Sequence, residues 1–372
     1  MKKTKFSSPC KCLIYSVLVL IAVVLPSYNL VSKEIKKPWL QGLDANQLYV
    51  LIESDNTNDI TVHYKLKEDT SLQNLTSSTK FLRKTNFGGS TFVHRILLDN
   101  LKFGAEYEYW IDSKEKYSFR VPNKEGEFTF TNMGDNRSGI KIWKKIATNM
   151  AKENPDFMIF NGDLAYKKEY NYWIDEFFVD EAQSMFTKFP FYNAAGNHEG
   201  WNDNTQAFTQ STSISQEARP YYSFERGDAL FLILNTEVGV GSNSQQWEFA
   251  EEQLKNSDKK WKIVVFHIPA YSSGAHGENK AMKLMTEKVF ERYGVQLILT
   301  GHSHYYQHNL VNGIHHMVIG GGGSPLYSPK EASYTISQAK KYHHAIVSVN
   351  SDRIKFVVKD LEMNVIDEFE IK

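Results

Sequence analysis

Five short apolar runs between residues 128 and 300 each end in side chains that carry lone pairs, and this pattern limits the available folds more than any other feature. Phe128–Met133 runs into Gly134-Asp135. Phe157–Phe160 runs through Asn161-Gly162 into Asp163, with Tyr166 three residues on. Phe191–Ala195 leads to Gly196-Asn197-His198-Glu199. Lys262–Phe266 ends at His267, and Gln296–Thr300 ends at Gly301-His302-Ser303-His304. Runs this short and apolar, bounded by turn residues, read as buried strands. Ile142, Trp143, Ile146 and Met150 recur at helical spacing and Asn154-Pro155 stops them, so a helix joins the first two strands in a βαβ unit that calls for a parallel sheet. Further helices are expected over about residues 170–186, 245–256 and 279–293, the last stopped by Gly294. Leu230–Leu234 reads as a central strand with no ligand at its end. Ligands of open α/β sheets gather at the carboxyl ends of strands, so the five ends are expected to meet at one sheet edge.

Each end has a plain explanation when taken singly. Asp135 caps the following helix, Asn197 and His198 are turn residues, and a lone His267 after a strand is a satisfied core histidine. His302 and His304 resist this reading, because a spacing of two puts both rings on one face of an extended segment. What decides is the set. Carboxylate, phenol, amide and imidazole side chains recur at strand ends, four of them behind a glycine that lets backbone and metal approach closely.

Gly134-Asp135, Gly162-Asp163-Leu164-Ala165-Tyr166, Gly196-Asn197-His198-Glu199, Val264-x-x-His267 and Gly301-His302-Ser303-His304 resemble the five blocks of the calcineurin-like metallophosphoesterases. The Gly-Asp-x-x-Tyr form at Tyr166 narrows the likeness to the purple acid phosphatases. The resemblance implies a two-sheet αββα sandwich over residues 125–372 and two metal ions. Asp135, Asp163, Tyr166 and His304 would hold the first, ferric iron. Asp163, Asn197, His267 and His302 would hold the second, which is iron, zinc or manganese. Phenolate and carboxylates suit a trivalent ion, and imidazoles with an amide oxygen suit a divalent one. It also implies hydrolysis of phosphate monoesters, in which the metals acidify water and clamp the phosphate. His198 and His276 are the residues expected to bind phosphate or to protonate the leaving group, and Glu199 to orient a ring. Arg137 departs from the pattern, standing where the family usually has glycine; the readings are crowding of the site, a phosphate contact or, preferred here, a structural ion pair. The alternatives are a phosphodiesterase or nucleotide-hydrolysing relative, and a surface binding protein with a residual metal site.

Residues 33–122 alternate in the strand manner and read as a small all-β sandwich. Leu101-x-x-Gly104-x-x-Tyr107 resembles the corner of fibronectin type III domains, as in the N-terminal module of the same phosphatases. No chemistry is assigned to this module, and His63 and His94 are read as surface residues. His315, His316, His343 and His344 are read as structural, and Gly320–Gly323 as a tight loop near the site. Before the module, Lys2, Lys3, Lys5 and Lys11 precede the apolar run Leu13–Leu25, and Pro26 ends it. Residues 1–32 therefore read as a signal peptide, with an uncleaved membrane anchor as the other reading, and the body as exported. Both cysteines, Cys10 and Cys12, lie ahead of that run, which excludes a disulfide framework or cysteine nucleophile downstream. Lysine plus arginine equal aspartate plus glutamate at 43 each, and no basic block occurs, so nucleic acid is not an expected partner. The expected partner is a phosphorylated small molecule or phosphoprotein.

Overall fold

Phe157–Phe160 shows why the chain forms layers. Neighbouring side chains of a strand point to opposite faces. Phe157 packs against Phe128, Phe130, Phe224 and Phe231, while Phe160 packs against Trp143, Phe177 and Phe186. One face of the strand therefore meets a second sheet and the other meets helices. In the computed structural model, which describes residues 36–44, 46–76, 79–84, 88–111, 115–209, 220–274 and 276–372, this produces two facing sheets with helices outside. Residues 1–32, read from the sequence as a signal peptide or membrane anchor, lie outside the described residues, as do both cysteines. Among the described residues, no helix is long and apolar enough to cross a membrane.

The first sheet has ten strands in the order Val365–Ile371, Ile354–Asp360, His343–Val349, Phe128–Met133, Phe157–Phe160, Phe191–Asn193, Trp39–Asp44, Gln47–Ser54, Ser90–Leu98, Thr79–Lys84. Its middle is parallel, with Phe157 opposite Phe130 and Met158 opposite Phe191. The second sheet has seven strands in the order Tyr222–Arg226, Ala229–Ile233, Trp261–Val265, Leu297–Thr300, Ile314–Ile319, Tyr306–Val311, Thr335–Ala339. Helix Ile140–Lys152 buries Trp143, Ile146 and Met150 against the first sheet. Helices Gln245–Asn256 and Lys280–Met285 bury Trp247, Leu254, Met282 and Met285 in the cluster that covers the outer face of the second. This is the two-sheet αββα sandwich expected from the sequence.

The all-β part forms two sheets. Four strands, including Thr61–Leu66 and Glu106–Trp110, make a sheet of their own. The other four extend the ten-stranded sheet, because Trp39–Asp44 pairs in parallel with Phe191–Asn193 through Gln41 and Phe191. The Tyr107 hydroxyl accepts from the Lys102 amide at 2.8 Å and closes the Leu101–Tyr107 corner. His94 differs from its expected surface position. It is fully buried, 2.8 Å from the Ser54 hydroxyl, because the strand that carries it lies inside the sheet.

The helix expected over 170–186 is broken. A short turn at Tyr170–Tyr172 passes into a π-helical turn, Trp173–Phe177, and the chain goes extended at Val179 before Asp180–Phe186. The wider π turn lets Trp173, Glu176 and Phe177 all face inward. A second π turn, Thr286–Phe290, follows Lys280–Met285.

Candidate metal centre

Asp135, Asp163 and Asn197 follow three adjacent parallel strands of the first sheet. His267, His302 and His304 follow two adjacent parallel strands of the second. The donors therefore come from two facing sheet edges, not from one as the sequence suggested, since the sandwich brings both carboxyl edges to the same end. Asp135, Asp163 and His302 have φ of 63°, 55° and 65°. The left-handed region disfavours side chains with a Cβ, and short polar residues tolerate it best. Held there, these residues turn sharply at the strand end and aim inward. Gly162, with φ of 91°, allows the close crossing: a Cβ there would lie 2.7 Å from both the Gly196 nitrogen and Nδ1 of His267.

Two histidines have their tautomer fixed by geometry. A carbonyl only accepts, so Nδ1 of His267, 2.7 Å from the Asn161 carbonyl, carries a proton. The same holds for Nδ1 of His304, 2.9 Å from the Pro325 carbonyl. Both rings thus turn Nε2 into the site, the arrangement by which metal-binding histidines are oriented. Nε2 of His267 lies 3.3 Å from Oδ1 of Asp163 and 3.1 Å from Oδ1 of Asn197. Nε2 of His304 lies 3.5 Å from Oδ1 of Asp135, an oxygen that is buried without a hydrogen-bond partner. Nδ1 of His302 is 2.8 Å from Oδ1 of Asn197. One donor atom each from Asp135, Asp163 and His304 fall within 4.8 Å of one another. Tyr166 stands at the rim, 39% exposed, with its ring stacked 5.3 Å from that of His198.

The electrostatics call for positive charge. Burial alone would suppress the His267 charge, but Asp163 outweighs it and raises this imidazole to about 10. Burial likewise works against charge on Asp163, but His267, Arg137 and His198 lower it well below the usual carboxylate range. His302 falls to about 3 through burial and the charge of His267. Burial and the neighbouring Asp163 push Glu199 up to about 8. The carboxylates are thus balanced by a proton on His267 and by the Arg137 guanidinium, which donates to Oδ2 of Asp163 at 3.0 Å. An orphaned carboxylate oxygen and two inward Nε2 atoms fit a metal pair.

The remaining expected residues are close by. His198 donates from Nδ1 to the Tyr166 carbonyl at 2.8 Å, leaving Nε2 3.9 Å from Asp163. The ring of His276 lies 4.8 Å from that of His302 and 5.0 Å from that of Tyr327. Glu199 accepts from the Gly196 amide at 2.8 Å, so it braces the turn, whereas the sequence suggested that it orients a ring. Three neighbours escaped sequence reasoning. Tyr327 stacks on His304 at 4.4 Å and has no local signal beyond the preceding glycines. Glu176 accepts from the amides of Tyr166 at 2.8 Å and Ser138 at 3.3 Å; an acidic residue among Trp173, Phe177 and Phe178 was its signal. Glu237 follows the strand assigned no ligand and interacts electrostatically with His267 and Asp163.

The family profile of calcineurin-like phosphoesterases matches residues 129–306. The chain is 26% identical over 360 residues to the Fe(3+)-Zn(2+) purple acid phosphatase 12 of Arabidopsis thaliana, covering 79% of this chain and 75% of that protein. It is 26% identical over 268 residues to the phosphoenolpyruvate phosphatase of Allium cepa, covering 64% and 55%. Among solved structures it superposes on the purple acid phosphatase PPD1 from yellow lupin (Lupinus luteus) seeds with a TM-score of 0.77 at 20% identity, covering 90% and 74%. Residues 129–306 thus match the calcineurin-like phosphoesterase family, and the chain is similar in sequence and fold to purple acid phosphatases.

Proposed function

We propose that this chain is a binuclear-metal hydrolase of phosphate monoesters. The observation that carries this reading is the inward turn of Nε2 on His267 and His304, each held by a backbone carbonyl, with Asp163 close to both. Asp163 serves both positions. Asp135, Tyr166 and His304 complete the first, for ferric iron, and Asn197, His267 and His302 the second, for iron, zinc or manganese. When bound, such a pair neutralises phosphate charge and acidifies water. The protein does the rest. Carbonyl partners keep the imidazoles oriented, and the left-handed turns at Asp135, Asp163 and His302 keep donors converged without reorganisation. His198 and His276 stand at the open side, where a phosphate oxygen or a leaving alkoxide would lie. In this reading His276 delivers the proton to the alkoxide and His198 holds the phosphate. Residues 33–122 are a packing module, and the basic-then-apolar N-terminus exports the body.

Metal analysis of the purified protein, with assays on mono- and diesters, tests this. We expect two metals per chain and faster monoester cleavage. Iron-loaded protein should show visible charge-transfer absorption that is lost in Tyr166→Phe with the fold intact. Metal-free protein that cleaves phosphate esters, or an unchanged spectrum in iron-loaded Tyr166→Phe, refutes the assignment.

A further inference from the structure

Arg137 stands inside the donor set. Its Nε donates to Oδ2 of Asp163 at 3.0 Å, and a terminal nitrogen lies 3.5 Å from Nε2 of His304. Its guanidinium carbon is 5.7 Å from the centre of the Tyr166 ring. These are three of the four residues assigned to the first metal. The atoms it engages on Asp163 and His304 are the lone-pair donors that a metal would need. Its side chain is 12% exposed and that of Asp163 is 1%, so bulk salt screens the pair only weakly. The backbone is pinned on both sides. The Arg137 amide donates to the Asp163 carbonyl at 3.3 Å, and its carbonyl accepts from the Ser324 hydroxyl at 2.9 Å. On the opposite side, His267 and His302 converge on Oδ1 of Asn197 at 3.1 and 2.8 Å, and no lysine or arginine among the described residues is ion-paired or hydrogen-bonded to these three.

We propose that Arg137 is the resident cation of the first metal position, so that the two positions load in order, the Asn197–His267–His302 position first. This rests on the two-metal reading above. A guanidinium does not shed its proton at any working pH. Arg137 must therefore leave its partners on Asp163 and His304 bodily. Entry of a metal at Asp163 and His304 breaks an ion pair sheltered from water and places two cations within a few ångströms of each other until the arginine has moved. Metal affinity at the first position is therefore set by a residue that is not a ligand, and the first position is the exchangeable one.

The test titrates metal-stripped full-length protein with Zn2+ alone by calorimetry, and measures zinc retained after gel filtration. Wild type should show one tight event and a second that is at least ten-fold weaker. Arg137→Gly and Arg137→Gln should tighten the weak event ten-fold or more and leave the tight one unchanged. Arg137→Gln keeps most of the side-chain length and drops the charge, and its melting curve guards against a folding defect. Asn197→Ala should lose the tight event and keep the weak one. Two equal events in wild type, a weak event unmoved by both Arg137 variants, or loss of the weak event in Asn197→Ala would each overturn ordered loading while leaving a two-metal centre standing. Failure of wild type and both Arg137 variants to bind any zinc would overturn the metal centre itself.

Discussion

At the scale of single residues, the proposed centre separates groups that would hold metal from groups that would react. His267 and His304 are fixed by carbonyls and nearly fully buried. His276 has ring neighbours but no hydrogen-bond partner for its ring among the described residues, and burial together with the charge of His304 lowers its pKa. An exposed imidazole at the open side of the site, without a carbonyl to fix it, is suited to proton transfer. His276→Ala should leave bound metal unchanged and lower turnover about 10²-fold or more on an alkyl phosphate, within the usual range for a general acid. The defect should shrink on a nitrophenyl phosphate, whose leaving group needs little protonation. Equal defects on both substrates would show that His276 binds phosphate instead.

At the scale of elements, the π turn Trp173–Phe177 decides where Tyr166 stands. It places Glu176 so that one carboxylate oxygen accepts from the amides of both Tyr166 and Ser138. The loop carrying Tyr166 and the loop carrying Arg137 are thus tied to one side chain that itself touches no site residue's donor atom. Burial raises the pKa of Glu176 against the effect of those amides. Glu176→Ala should destabilise the protein by about 1–3 kcal/mol, through the loss of two part-buried hydrogen bonds to a carboxylate, and should blur the iron absorption proposed for Tyr166. Glu176→Gln keeps a carbonyl acceptor and should retain most of both, as read by thermal melting and visible spectra. If the glutamine variant is as damaged as the alanine one, the negative charge and not the acceptor is what the loops require.

At the scale of the whole molecule, two buried histidines away from the centre set a limit on acid stability. His343 is lowered to about 4 by burial and by the neighbouring His344, and His316 to about 3 by burial and by His315. Both nitrogens of His316 lack partners, and its ring meets Tyr271 edge-on at 4.8 Å. Their folded pKa values lie below that of an unfolded histidine, about 6.5. The unfolded chain therefore binds more protons once the pH drops below that value. Stability is fully present above about pH 6.5 and falls towards pH 4, by roughly 3 kcal/mol for each ring. Urea midpoints at pH 7.5, 6 and 5 should decline accordingly. His316→Phe keeps the ring and removes the titration, so its decline should be shallower, and an unchanged slope would remove His316 from the account.

What the chain determined by itself was whatever depends on local order. Short apolar runs fixed the strands, and glycine followed by Asp, Asn or His marked the turns, because both rules act within a few residues. All seven side chains proposed as metal ligands were legible at those ends, and the two-sheet fold was what the family resemblance implied. Distances in sequence hid the rest. That the donors come from two sheets follows from the Phe157–Phe231 packing between them, a contact between distant runs. The bracing of Glu176 depends on a π turn that no residue pattern announces. His94 sits inside a sheet only because Gln47–Ser54 and Thr79–Lys84 pair on either side of its strand. Arg137 was visible as a departure and was read as an ion-pairing residue. Its partner, Asp163, is 26 residues away and His304 is 167, so only the folded chain could bring a guanidinium and a metal position to the same point.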